Sequence, residues 1–186
     1  LMDATKVVQQ LMEGPNAGSD ALTIPEGLTV DQVADRVAQA YDSISKEDFL
    51  NQAKASNYVN DYPFLKGAAN DSLEGFLFPK TYSLGKDPCA DDVIRAMLDQ
   101  FNTEYKSLDF AGCEGKIKER YGVEMSDYDI INLASIVERE GLNAEQRAHV
   151  ASVFYNRLAG KLDGLRYLNS DATMMYVTGG EVTADD

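Results

Sequence analysis

The chain has 186 residues, 44% of them hydrophobic and 26% charged, which is enough apolar material for one good core or two small ones. With 31 acidic against 17 basic side chains, the formal net charge is −14. That excess argues against a nucleic-acid backbone as partner, because phosphates need a basic surface; a neutral glycan, held by hydrogen bonds and stacking, stays open. No run approaches the roughly 20 apolar residues of a membrane helix, and the two ends, at Leu1 and Asp186, read as cuts within a longer protein.

The elements follow from periodicity and punctuation. Val7, Val8, Leu11 and Met12 share one face of a helix over residues 4–13, stopped by Gly14-Pro15. Ala21 to Ile24 is a short strand. Thr29 with Gln32 three residues on makes a capping box, and the helix behind it carries Val30, Val33, Ala34, Val37 and Ala38 inward. Ser45 caps a second helix that packs through Phe49, Leu50 and Ala53. Residues 58–70 are irregular, broken by Pro63 and Gly67, and residues 73–84 are rich enough in aromatics to return as an extended segment, with Pro79 at an edge or bulge. Strand, two helices and returning strand make a compact βααβ unit over residues 21–86, with Gly85 to Pro88 as linker.

Beyond the linker the chain is helical in character. Val93, Ile94, Met97, Leu98 and Phe101 form one stripe; Cys113 to Tyr121 is a further helix ended by Gly122; Asp127 opens a helix that runs to Gly141; Asn143 caps the next, with Val150, Ala151, Phe154 and Leu158 inward and Gly160 as its end. Residues 162–176 read as shorter-range structure, with Leu165 to Leu168 extended. The fold class is therefore α+β, divided as residues 1–20, 21–86 and 87–186.

Few residue types can carry chemistry here. Cys89 and Cys113 lack metal-ligand spacing and have no histidine nearby, so no metal is expected; free thiols are the default reading, with a disulfide open if the protein is exported. His149 is the sole histidine and has no nucleophile motif beside it, which argues against a serine triad. The informative stretch is Leu133-Ala134-Ser135-Ile136-Val137-Glu138-Arg139-Glu140-Gly141. At about 100° per residue, Ile130, Leu133, Ala134 and Val137 define a buried stripe that Glu138 and Glu140 flank on opposite sides. A half-buried carboxyl in the last turn of a helix is expected to hold its proton more tightly than usual, as a general acid requires. Helix geometry alone does not choose between the two glutamates.

Five blocks resemble the MltG (YceG-like) family of endolytic transglycosylases: Thr23 to Thr29, Ser72 to Tyr82, Leu133 to Glu140, Val150 to Leu158 and Asn169 to Tyr176. They stand in the family's order. Lys80 and Ala172 depart from the aspartate and proline usual at those places. The resemblance implies a LysM-like unit over residues 21–86 followed by a mainly helical, lysozyme-like catalytic region. The family's catalytic glutamate, the first of a Glu-x-Glu pair, falls on Glu138. Asp171, Asn156, Ser170 and Tyr176 are the expected substrate-binding residues; Glu74 is expected to be structural.

The implied reaction cleaves peptidoglycan glycan strands between N-acetylmuramic acid and N-acetylglucosamine, leaving 1,6-anhydro ends, with one carboxyl acting as acid and then base and no cofactor. The resemblance also implies an N-terminal membrane anchor and further active-site segments outside this chain, an extracytoplasmic location, and cell-wall synthesis proteins as partners. A piece lacking those segments is expected to be inactive alone. Two alternatives stand beside this reading: a non-catalytic glycan-binding module, and a scaffold in a cell-wall synthesis complex. A pyridoxal-phosphate lyase chemistry finds no phosphate-binding glycine loop or lysine context.

Overall fold

The computed structural model describes residues 21–141, 143–161 and 167–178; the expected helix over residues 4–13 lies outside them, as do Leu165 and Arg166 of the expected extended stretch. The architecture of the described residues is α+β. In chain order the elements are β1 (Ala21–Thr23), α1 (Val30–Ala40), α2 (Lys46–Gln52), α3 (Ala55–Tyr58), β2 (Thr81–Ser83), α4 (Ala90–Ser107), α5 (Phe110–Tyr121), α6 (Asp127–Glu140), α7 (Ala144–Leu158) and α8 (Asp171–Thr178), with 3-10 turns at Pro63–Gly67 and Ala69–Asp71. Two compact units divide between Lys106 and Ser107, rather than at the Gly85–Pro88 linker.

In the first unit, β1 and β2 pair antiparallel, Leu22 opposite Tyr82, so the chain does return, after three helices and two 3-10 turns rather than two helices. The return is shorter than the aromatic content suggests: only Thr81–Ser83 is strand, because Leu73 to Phe76 close a turn in which Gly75 takes φ 83°. The expected caps form. Thr29 accepts from the Gln32 N–H while the Gln32 side chain accepts from the Thr29 N–H, and Ser45 accepts from the Asp48 N–H. Val33, Val37, Phe49, Tyr58, Leu65, Leu73 and Phe76 are buried in the core.

α4 belongs to this unit because its apolar stripe is spent there: Val93, Ile94, Met97 and Leu98 are fully buried. Its polar flank is tied to the preceding turns as well. Arg95 pairs with Asp61 at 2.9 Å and Asp91 at 2.8 Å and lies 5.3 Å from the Tyr58 ring centroid. The Tyr62 hydroxyl donates to Asp99 at 2.8 Å, and Phe64 sits among Tyr62, Phe76, Phe101 and Tyr105. Lys80, where the family usually has aspartate, donates to Gln100 at 2.8 Å.

The second unit is thinner. Its buried cluster is Leu133, Val137 and Phe154, with Met125, Ile136, Val150, Ala151, Tyr155, Leu158 and Leu168 packed against it. α5 is capped by Asp109, whose carboxylate accepts from Gly112 N–H at 2.9 Å, and ends on Gly122 in the left-handed region, φ 74°. Tyr121 then meets Tyr155 of α7 with ring centroids 5.0 Å apart.

Glu74 links the turn after α3 to α1. Its carboxylate accepts from the Val30 N–H at 2.9 Å, at the first turn of α1. Burial raises its pKa, and the Val30 bond opposes that only in part. A raised folded-state pKa means the stability this carboxyl contributes is complete below its unfolded value near 4.5 and is lost as pH rises through the folded value. Glu74→Gln keeps an acceptor for Val30 and carries no charge. Its melting temperature relative to the native chain is therefore expected to rise between pH 4 and pH 7; scanning calorimetry at both pH values checks this. A constant difference would show that burial of the charge is not what costs stability.

Candidate functional site

The last turn of α6 carries both glutamates, and its exit is sterically fixed. Gly141 caps the helix, its N–H donating to Val137 carbonyl at 2.9 Å. A Cβ on Gly141 would lie 2.7 Å from Arg147 Cγ and 3.0 Å from the Arg147 backbone nitrogen, so only glycine lets the chain turn here into α7. Arg147 in turn donates from Nε to the Gly141 carbonyl at 3.2 Å, and Asn143 caps α7 by accepting from Gln146 N–H at 3.0 Å.

The buried stripe of α6 is rotated from the expected one. Leu133 and Val137 are buried as expected, but Ala134 is exposed and Ile136 is packed against the cluster. The centre of the stripe therefore moves away from Ala134 toward Ile136. Glu138, four residues after Ala134 and so on the same face, is exposed and not half-buried. The half-buried placement expected of it is not what the structure shows. The physical reason is that Phe154, Val150 and Ala151 of α7 cover one side of α6 only.

Glu140 is exposed as well, but it has a hydrogen-bond partner. The Ser170 hydroxyl donates to its Oε1 at 2.7 Å, and Ser170 is the buried polar residue of the described chain at 7% exposure. The segment before Ser170 is held from the other side by Arg157 of α7. One guanidinium nitrogen donates to the carbonyl of Leu168 and reaches that of Asn169 at 3.5 Å. Asn169 takes φ 49°, a left-handed turn that asparagine tolerates better than most residues. The chain then starts α8, with the Thr173 N–H donating to the Ser170 carbonyl at 3.1 Å and Asp171 in the first turn.

The expected site residues are thus only partly assembled. Ser170 meets Glu140, and Asp171 follows it at the start of α8. Among the described residues, no hydrogen bond or ion pair joins Glu138 to Asp171, Asn156, Ser170 or Tyr176. Asn156 is half-buried on α7, its carbonyl accepting from the Lys161 N–H at 2.9 Å. Tyr176 is 60% exposed on α8, beside Met174, Met175 and Val177, which are exposed too. Sequence reasoning missed α8 as a helix because it has no amphipathic stripe to betray it, with no buried residue among its eight. It also passed over Arg157 as an anchor; the nearby Asn169-Ser170-Asp171 turn was the available signal.

A cavity of about 570 Å³ opens between the ends of α5 and α7, lined by Lys118, Gly122, Val123, Glu124, Leu158 and Ala159, none of them an expected site residue. Among the described residues no cluster of three or more histidine, cysteine or acidic side chains could hold a metal, and no helix is long and apolar enough to cross a membrane. Cys89 and Cys113 are free thiols.

The Arg157 anchor is open to a direct measurement. Arg157→Ala removes the donor to the Leu168 and Asn169 carbonyls, so amide exchange in residues 168–173 is expected to speed up about tenfold or more, corresponding to roughly 1.4 kcal/mol of lost local protection. Exchange mass spectrometry showing native protection there would mean the segment is held by other contacts.

The comparisons agree with this architecture. A profile of the YceG-like family matches residues 1–186. The chain is 30% identical over 189 residues to a Bacillus subtilis (strain 168) protein named endolytic murein transglycosylase, an alignment covering 96% of this chain and 49% of that relative. A Streptococcus pneumoniae (strain ATCC BAA-255 / R6) protein of the same name is 31% identical over 173 residues, covering 85% of this chain and 29% of the relative. The fold is similar to a crystal structure of a yceG-like protein from Listeria monocytogenes, with TM-score 0.67 and 27% identity, over 99% of this chain and 61% of that one. The chain spans about half the length of the Bacillus relative and less of the other. With the family profile matched along all 186 residues, the chain belongs to the YceG-like family.

Proposed function

We propose that the full-length protein is a lytic transglycosylase that cleaves peptidoglycan within its glycan strands, with Glu138 as the acid and base. The relatives named endolytic murein transglycosylase support the substrate class and the reaction. The observation that carries the choice of residue is the division of labour on α6: Glu140 is engaged by buried Ser170, while Glu138 stands on the uncovered face beside Ala134. A carboxyl that must receive a sugar needs an open face.

Residues 21–86 are read as a LysM-like module that holds the glycan, and residues 87–186 as the lysozyme-like catalytic region. In the first step the Glu138 carboxyl gives its proton to the glycosidic oxygen as the bond from muramic C1 breaks. In the second, the Glu138 carboxylate takes the proton of the muramic 6-hydroxyl as that oxygen attacks C1. A 1,6-anhydro ring closes and no water is consumed. A single carboxyl suffices because the two proton transfers occur in sequence, unlike the paired carboxylates of ordinary glycosidases. Asp171, at the start of α8, is placed in the role of steadying positive charge on the sugar ring, with Asn156 and Tyr176 contacting substrate. Since Glu138 is exposed in the free chain, the glycan itself has to exclude water from it on binding.

The membrane anchor and extracytoplasmic location belong to this proposal too. Glu138→Gln in the full-length protein is expected to cut the rate of cleavage by roughly a hundredfold or more, the usual worth of a general acid, with melting unchanged because the side chain is exposed. Mass spectrometry of digested glycan strands, counting internal 1,6-anhydro ends, is the measurement. Undiminished anhydro product would remove Glu138 from the chemistry.

A further inference from the structure

We propose that Glu140 is a positioning residue, acting through Ser170 to set the turn that delivers Asp171 to the site; this rests on the transglycosylase reading above. Three features carry it. Ser170 immediately precedes α8, and its hydroxyl proton is committed to Glu140 Oε1 at 2.7 Å, across 30 positions of sequence. Ser170 is also buried, at 7% exposure, so leaving its hydroxyl without a partner would be costly. Finally, the turn has a second tether of independent origin, the Arg157 guanidinium on the Leu168 and Asn169 carbonyls. Residues 168–170 are therefore clamped between α6 and α7, and the next residue in the chain is Asp171.

Glu138 and Glu140 lie about 200° apart around α6, so one helix turn can present one carboxyl to substrate and use the other to fix the turn behind it. The spacing has this consequence whatever residue stands between them. The role asked of Glu140 is acceptance of one hydrogen bond, which needs an oxygen but no titratable proton. That separates it from Glu138, whose role requires the proton itself.

The test uses the full-length protein and purified glycan strands, reading kcat and KM from anhydro product for E140A, E140Q, S170A, the E140A/S170A double variant and E138Q, with melting measured for each. E140A and S170A are each expected to lose about tenfold to a hundredfold in kcat, the scale of a displaced catalytic group, with KM within about twofold. The double variant is expected to lose no more than either single one, because both remove the same bond. E140Q, which keeps an acceptor for Ser170, is expected to recover most of the kcat lost in E140A. Three outcomes overturn the proposal: E140Q as inactive as E138Q, which would put proton chemistry on Glu140; additive losses in the double variant; or lowered melting with native kcat, which would make the bond merely structural. Failure of the underlying reading appears elsewhere, as native activity in E138Q, and leaves the E140A, S170A and E140Q comparison to decide the clamp on its own.

Discussion

Two helices that meet along one side leave the other side of each unattended, and the second unit is organised around that fact. Leu133 and Val137 of α6 close on Phe154 of α7, with Ile136, Val150 and Ala151 filling in. This small cluster orients everything around it. It turns Ile136 toward the packed side and leaves Ala134 and Glu138 on the uncovered one, while Glu140 is exposed as well. Gly141 then permits the tight exit that brings α7 back, since any side chain there would meet the backbone of Arg147. Both carboxyls end the helix exposed, neither contributing much to the packing, and Glu140 carries the hydrogen bond from Ser170.

The polar contacts complete what the apolar cluster begins. Helix α8 has no buried residue of its own, so apolar burial contributes little to its docking. Its start is instead located by two hydrogen-bonded side chains from the packed helices, Glu140 from α6 and Arg157 from α7. Buried hydrogen bonds are directional where hydrophobic contacts are not, which suits a task of placement. The first unit shows the same preference: Arg95 and Tyr62 join α4 to the preceding turns through the Arg95–Asp61 and Tyr62–Asp99 contacts, and Glu74 joins the returning segment to the first turn of α1.

How far the sequence could be read depended on how local the deciding physics was. The caps at Thr29, Ser45 and Asn143 formed as expected because each depends on a side chain and an N–H three residues away. The ends at Gly122 and Gly160, both with positive φ, are local for the same reason. The stripe on α6 was legible only to within the choice of neighbour: Ala134 and Ile136 are both apolar, and which one is covered is decided by α7, not by α6. The difference between Glu138 and Glu140 is a matter of the same kind, settled by where residue 170 arrives. α8 escaped notice because its run from Met174 to Val177 is apolar on several sides at once and leaves no period to detect. The unit boundary moved past Lys106 because a Gly-Pro linker marks a turn, whereas a unit ends where its core contacts end.

The sheet of the first unit has a mechanical consequence. Its ladder is three residue pairs long, Ala21 with Ser83, Leu22 with Tyr82 and Thr23 with Thr81, so the chain enters and leaves the ladder at the same end. Tension drawn between the polypeptide before residue 21 and that after residue 83 would load those pairs one after another, as in opening a zipper, and never all three in shear. Resistance to stretching along that line must therefore come from the side chains stacked beneath the ladder, Leu22 and Tyr82 among them, and not from the strands themselves.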